Sequence, residues 1–370
     1  MATYKDSGVD ISAGEKASKS AYECAKNTFS ARDGMFGAPV KLDGGFAGAL
    51  DFGDFYTILN CDGVGTKIDI ALETGKFSGL GDDLLAMTAD DAICVGAEVI
   101  SITNTFDTNK VNAEEISAMM KSLEKACIDQ NITISGGEIA ELGNTLNKTI
   151  WNSTAMGVVE KEKFLTGDKI EVGDVVISLK ENGFRSNGFS LARYILSENN
   201  IKYSDEFISP EISEDTKGTT WGDQLLTPCI IFHNAVLDLM GRFREEKKVQ
   251  INGCVHVTGG GLAANFFRIL KAKGLGAELP DIFPMTPAMK KLQEIGNVSD
   301  REAYKTWNGG NGMILVLPAC DAEQTIEILA SHSIEAKISG KITNTGKIFH
   351  ANKALNKNNS TQMLEWQLKG

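Results

Sequence analysis

The sequence predicts a two-domain protein of the α+β and α/β classes, and three observations predict it. The chain has 370 residues, enough for two domains. In both halves short apolar runs end in glycines and a polar group, often ahead of a helical pattern. A polar, glycine-bounded stretch from Gly167 to Gly173 separates the halves, giving units 1–168 and 169–370. Two related α/β layers facing a shared cleft follow from that repetition, with no tandem repeat of short period.

Composition narrows the class. The apolar fraction is 42% and the charged fraction 23%, as in ordinary globular proteins. The net charge of -12 argues against nucleic acid and anionic membranes, whose phosphates need a basic surface. A small phosphorylated ligand stays compatible, because one metal ion reverses a local field. No apolar run is long enough to span a bilayer, and no secretory leader is visible in residues 1–10. The seven cysteines are scattered without a Cys-x-x-Cys pair, which fits free thiols in a reducing cytoplasm. The four histidines form no cluster; His233 reads as structural, and His256 stands beside a glycine run.

In chain order, an alanine- and lysine-rich helix runs to about Thr28. Glycines 34, 37, 44, 45, 48 and 53 then mark a long segment, read as a lid or as a plain surface loop. Tyr56 to Leu59 is a buried strand leading into Asp62, Gly63, Gly65 and Lys67. Glycines there let backbone approach a ligand, the carboxylate suits a cation, and the lysine adds mobile positive charge. Gly81 to Glu98 has helical spacing. Asp83 and Asp90, seven apart, read as a solvated acidic patch, whereas Asp91 shares a half-apolar face and reads as a ligand. Asn112 to Glu115 resembles a capping box opening a helix to about Asp129. Ile132 to Ser135 is a strand delivering Gly136, Gly137 and Glu138, and Trp151 to Val159 closes this half.

In the second half Val175 to Leu179 is a buried strand. Arg185, Ser186 and Asn187 precede a helix from about Phe189 to Glu198, whose positive end suits an anion. Thr227 and Pro228 read as an N-cap and first helical residue. Val255 to Thr258 leads into Gly259, Gly260 and Gly261, three costly glycines that a close ligand approach would explain. Met313 to Leu317 is a strand, and 331–343 holds a helix end and a last strand.

Together these words resemble the aminoimidazole ribonucleotide synthetase family, also called phosphoribosylformylglycinamidine cyclo-ligases. The matching blocks are YKDSGVDI (4–11), CDGVGTK (61–67), GDDLLAMTADDAICVGAE (81–98), SGGEIAEL (135–142), RSNGFSLAR (185–193), HVTGGGL (256–262) and GNVSDREAYKTWNGGNGM (296–313), in family order. The resemblance implies an N-terminal sheet that pairs with a second copy into a β-barrel-like homodimer core, helices outside, and a C-terminal α/β domain. It implies that ATP and formylglycinamidine ribonucleotide give aminoimidazole ribonucleotide, ADP and phosphate in purine synthesis. The γ-phosphoryl group would activate the formyl oxygen before an amine of the same molecule closes the ring.

On that reading Asp62, Asp91 and Glu138 are the expected Mg²⁺ ligands, since carboxylates cannot crowd a triphosphate without a hard cation. Lys67, Asp91 and Arg185 are the expected catalytic residues. Gly44, Gly45, Asp62, Gly63, Lys67, Gly136 and Gly137 would bind ATP. Ser186, Asn187, His256, Thr258, Gly259 and Gly260 would bind the ribonucleotide. The chain departs from the family at Arg185, where histidine is usual, and at Asp90, where asparagine is common. Asn104, Pro228-Cys229 and the segment after Glu141 depart as well. A sister ATP enzyme, such as a thiamine monophosphate kinase, and a non-catalytic nucleotide binder are the rival readings.

Overall fold

The computed structural model describes residues 11–40, 46–210, 218–355 and 361–367. Gly44, Gly45 and most of the 4–11 block lie outside them. The first sheet has the order β1-β2-β3-β6-β4-β5. Its strands are β1 (Ala38–Pro39), β2 (Gly48–Asp51), β3 (Phe55–Gly63), β4 (Glu98–Thr108), β5 (Thr133–Glu141) and β6 (Ile150–Glu160). In β3, Ile58 is buried and Leu59 exposed, so Ile58, Asn60 and Asp62 share the inner face.

Four helices accompany this sheet: α1 (Ile11–Asn27), α2 (Lys67–Thr74), α3 (Leu80–Ile93) and α4 (Ala113–Asp129). Nearly all of α3 is buried. The expected helix to residue 98 stops early, because Gly96 takes a positive φ of 84° and the chain turns into β4. The Asn112 side chain accepts from the amides of Glu114 and Glu115, as an N-cap does. The glycine-rich segment is not one loop, since it contributes β1 and β2. Nor does a strand end at Ser135: β5 runs straight through Gly136, Gly137 and Glu138.

The second sheet has the order β13-β12-β9-β11-β7-β10-β8. It comprises β7 (Val175–Lys180), β8 (Gly253–His256), β9 (Gly276–Leu279), β10 (Asn311–Leu317), β11 (Ala336–Thr343), β12 (Lys347–Leu355) and β13 (Thr361–Gln367). Every residue of β10 is buried. Around it lie α5 (Phe189–Glu198), α6 (Trp221–Leu225), α7 (His233–Met240), α8 (Gly261–Leu270), α9 (Pro287–Ile295), α10 (Asp300–Thr306) and α11 (Ala322–Ser331). No helix starts at Pro228; α7 begins at His233. The C-terminal residues pair as the antiparallel strands β12 and β13.

Candidate functional site

Two buried ion clusters join α3 to the second half. The Lys67 ammonium lies 2.7 Å from both the Asp83 carboxylate and the Thr227 carbonyl oxygen. The Arg185 guanidinium donates to Asp90 at 2.6 Å, Glu181 at 2.8 Å and the Ile230 carbonyl at 3.1 Å. Asp83 also accepts from the Cys229 amide and Asp90 from the Phe232 amide. All five ionic side chains are fully buried. The acidic patch expected in solvent at Asp83 and Asp90 is therefore a dry docking face for residues 227–232.

This corrects two role assignments. Lys67 is no mobile charge, because its ammonium is pinned between Asp83 and Thr227. The Arg185 guanidinium is likewise held by Asp90 and Glu181, with Nε left without a partner. Breaking such a buried pair from one side costs about 3–5 kcal/mol.

One α3 carboxylate escapes this pattern. Asp91 Oδ1 lies 2.7 Å from His256 Nδ1 at the end of β8. Burial pushes Asp91 up to about 7, against the opposing charges of Arg268 and Arg185. Burial likewise pushes Asp62 up to about 6, against its hydrogen bond from the Gly63 amide, and the charge of Asp91 adds to it. The two carboxylates are thus electrostatic neighbours across the α3–β3 contact. Burial holds the His256 ring neutral, well below its usual range. A single proton is therefore shared between Nδ1 and Oδ1, and the bond orients Asp91.

Beside this pair three turns meet. A Cβ at Gly65 would lie 3.2 Å from the Ser186 carbonyl, and one at Gly259 would lie 3.5 Å from Asn187 Nδ2. Gly188 and Gly260, both left-handed, cap α5 and α8. Asn265 donates to the Gly261 carbonyl at 2.9 Å and to the Thr258 and Gly259 carbonyls at longer range, bracing the glycine turn. Ser186 Oγ, Asn187 Oδ1, His256 Nε2 and Asn265 Oδ1 are buried without hydrogen-bond partners. Each such orphan costs about 1–3 kcal/mol, so their gathering at one seam marks a ligand site. Ser186, Asn187, Thr258, Gly259 and Gly260 are brought together as expected, whereas His256 turns to Asp91.

Glu138 does not join Asp62 and Asp91. Asp62 pairs with Ser153, Ser153 with Asn104 and Asn104 with Gly137, while Glu138 sits one position on, opposite Thr105. It therefore points to the other face, three strands or about 14 Å away. Among the described residues no group of three or more His, Cys, Asp or Glu could hold a metal. Gly63, Gly136 and Gly137 are strand residues paired in the sheet. A Cβ at Gly63 would strike Asn152 Oδ1 and one at Gly137 the Asn104 carbonyl, so packing explains both.

The sequence pattern pointed to neither Arg268 nor Asn60. Arg268, on α8, stacks on Phe46 at 4.8 Å and offsets the charge of Asp91. It helps line a groove of 870 Å³, with Lys19, Tyr22, Val40, Phe46 and Lys271.

Comparisons with known proteins show the family and the fold. Residues 44–159 match the AIR synthase related protein N-terminal domain, and 171–351 its C-terminal domain. The chain is 35% identical to phosphoribosylformylglycinamidine cyclo-ligase of Methanococcus maripaludis strain C6, over 94% of both chains. It is 33% identical to that of Methanocaldococcus jannaschii, over 96% of both. Among solved structures, hydrogenase maturation protein HypE in complex with ATP is 15% identical, with a TM-score of 0.59 over 85% of both chains. T. maritima PurL complexed with AMPPCP is 12% identical, with a TM-score of 0.51 over 84% of this chain and 43% of that one. Both likenesses bear on the fold.

Proposed function

This chain belongs to the phosphoribosylformylglycinamidine cyclo-ligase family, and we propose that it performs that ring closure in purine biosynthesis. ATP would supply the phosphoryl group that activates the formyl oxygen of formylglycinamidine ribonucleotide. An amine of the same molecule then attacks the activated carbon, phosphate leaves, and aminoimidazole ribonucleotide is released. The observation that carries this reading is the Asp62–Asp91 pair beside a seam of unsatisfied polar atoms.

The donor set suits Mg²⁺. Two crowded, buried carboxylates retain a proton unless a cation joins them, and magnesium commonly takes one or two carboxylates together with substrate phosphates. When bound, the ion would neutralise phosphate charge. Asp62 and Asp91 would hold it, with His256 fixing the orientation of Asp91. The amides at the start of α5 and α8, with Ser186, Asn187 and Thr258, would grip the ribose phosphate. Arg268 and Lys271 offer positive charge beside the groove, where Phe46 offers an aromatic face.

A homodimer is part of the proposal. Leu59, Ile100 and Met156 of the first sheet are 40–46% exposed, an apolar surface that a second copy would cover. Glu138 belongs to that outer face. The free cysteines support a reducing cytoplasm. No helix among the described residues is long and apolar enough to cross a membrane.

The test is turnover by purified protein. ATP should be consumed only with formylglycinamidine ribonucleotide present, with release of a diazotisable aminoimidazole. Turnover with thiamine phosphate instead would move the chain to a sister kinase activity.

A further inference from the structure

Asn60 lies on the inner face of β3, between Ile58 and Asp62. Its neighbours across the sheet are Ala155 and then Ile102, whose side chains carry no polar atom. On its other side the β2 pairing has ended, at Gly48 with Leu59. Both ends of its amide, Nδ2 and Oδ1, are buried and have no hydrogen-bond partner. Most buried side-chain amides find at least one partner, so an amide orphaned at both ends is exceptional. A polar residue with no structural use is expensive in a sheet interior, where valine or alanine would pack without cost.

We propose that Asn60 is a substrate-binding residue of this site. It presents a donor and an acceptor side by side to a neutral ligand group of matching form, an amide. The inference rests on the ring-closure reading, whose ribonucleotide carries such groups. It extends that reading to a residue two positions before Asp62, with a side chain on the same face. A phosphate would use only the donor and leave Oδ1 orphaned, so the organic part of the substrate is the better match.

The test compares Asn60→Ala with the wild-type chain in the ring-closure assay and in thermal unfolding with and without ribonucleotide. The expected result has three parts. KM for the ribonucleotide rises by about tenfold or more, from the loss of two buried hydrogen bonds. KM for ATP stays within about twofold, as for a residue that touches only the other substrate. The unfolding midpoint of the ligand-free protein is unchanged or higher, because two orphans have gone. A lower midpoint with unchanged KM values would make Asn60 structural and overturn the proposal. So would a rise in KM for ATP alone, which would assign the amide to the nucleotide. Wild-type protein that neither turns over nor gains stability from the ribonucleotide would overturn the ring-closure reading and this inference together. Normal wild-type behaviour matched by Asn60→Ala would overturn this inference alone.

Discussion

Two regions of this molecule bury aspartates on the same helix, and they differ in one respect. Asp83 and Asp90 meet fixed cations and backbone amides from residues 227–232. Asp91, the next residue, meets a neutral histidine and a second carboxylate that raises the local cost of charge. In the first region every charge meets an opposite charge within the chain, although Arg185 Nε has no hydrogen-bond partner, and in the second the carboxylates meet no cation that close. Among these buried aspartates, charge left without a close cation separates the site from the scaffold, whereas burial does not.

The sharpest way to break this comparison is to cut a strut. Arg185→Met strands Asp90 and Glu181 and should lower the unfolding free energy by about 3–5 kcal/mol in urea titrations. Adding Asp90→Asn should recover part of that loss. Turnover per folded molecule should stay within a few-fold of wild type. A stable but inactive Arg185→Met protein would return Arg185 to the catalytic group.

On the site side, Ser186→Ala removes an orphan and should leave the unfolding midpoint unchanged or raised. KM for the ribonucleotide should rise about tenfold in steady-state kinetics, the effect of one hydrogen bond to a charged group. Equal KM values would separate the seam from the substrate.

The difference between the regions was only half legible beforehand. The helix spacing that put Asp83 and Asp90 on one face was correct, as was the distinct setting of Asp91. What covers that face comes from a loop about 140 residues later, which no local pattern reports. For the same reason Lys67 and Arg185 looked free: a cation beside glycines reads as a phosphate ligand until its partner is placed. Glu138 lies apart from Asp62 and Asp91 in this chain for another reason. Strand β5 continues through its glycines, and a shift of one position along a strand moves a side chain to the opposite face. The turns at Ser186 and Gly259 were found because glycine capping and helix starts are local signals.

A further effect concerns pH. Asp62 and Asp91 have folded values near 6 and 7, above the ordinary carboxylate value. The folded chain therefore holds these protons more tightly than the unfolded chain. The stability they contribute is present at low pH and is lost as pH rises through about 6 to 7. Ligand-free protein should lose on the order of 4 kcal/mol of unfolding free energy between pH 5 and 8 from this source. The slope should be shallower in Asp91→Asn. An identical slope in both proteins would mean that Asp91 holds no proton more tightly in the folded chain.

The most direct measurement is calorimetric titration of Mg²⁺ and ATP into folded Asp91→Asn beside the wild-type protein. If the carboxylate pair seats the metal, affinity for the magnesium–nucleotide complex should fall about a hundredfold while the unfolding midpoint holds. Equal affinity in the two proteins would contradict that seat, leaving Asp91 as one more scaffold aspartate.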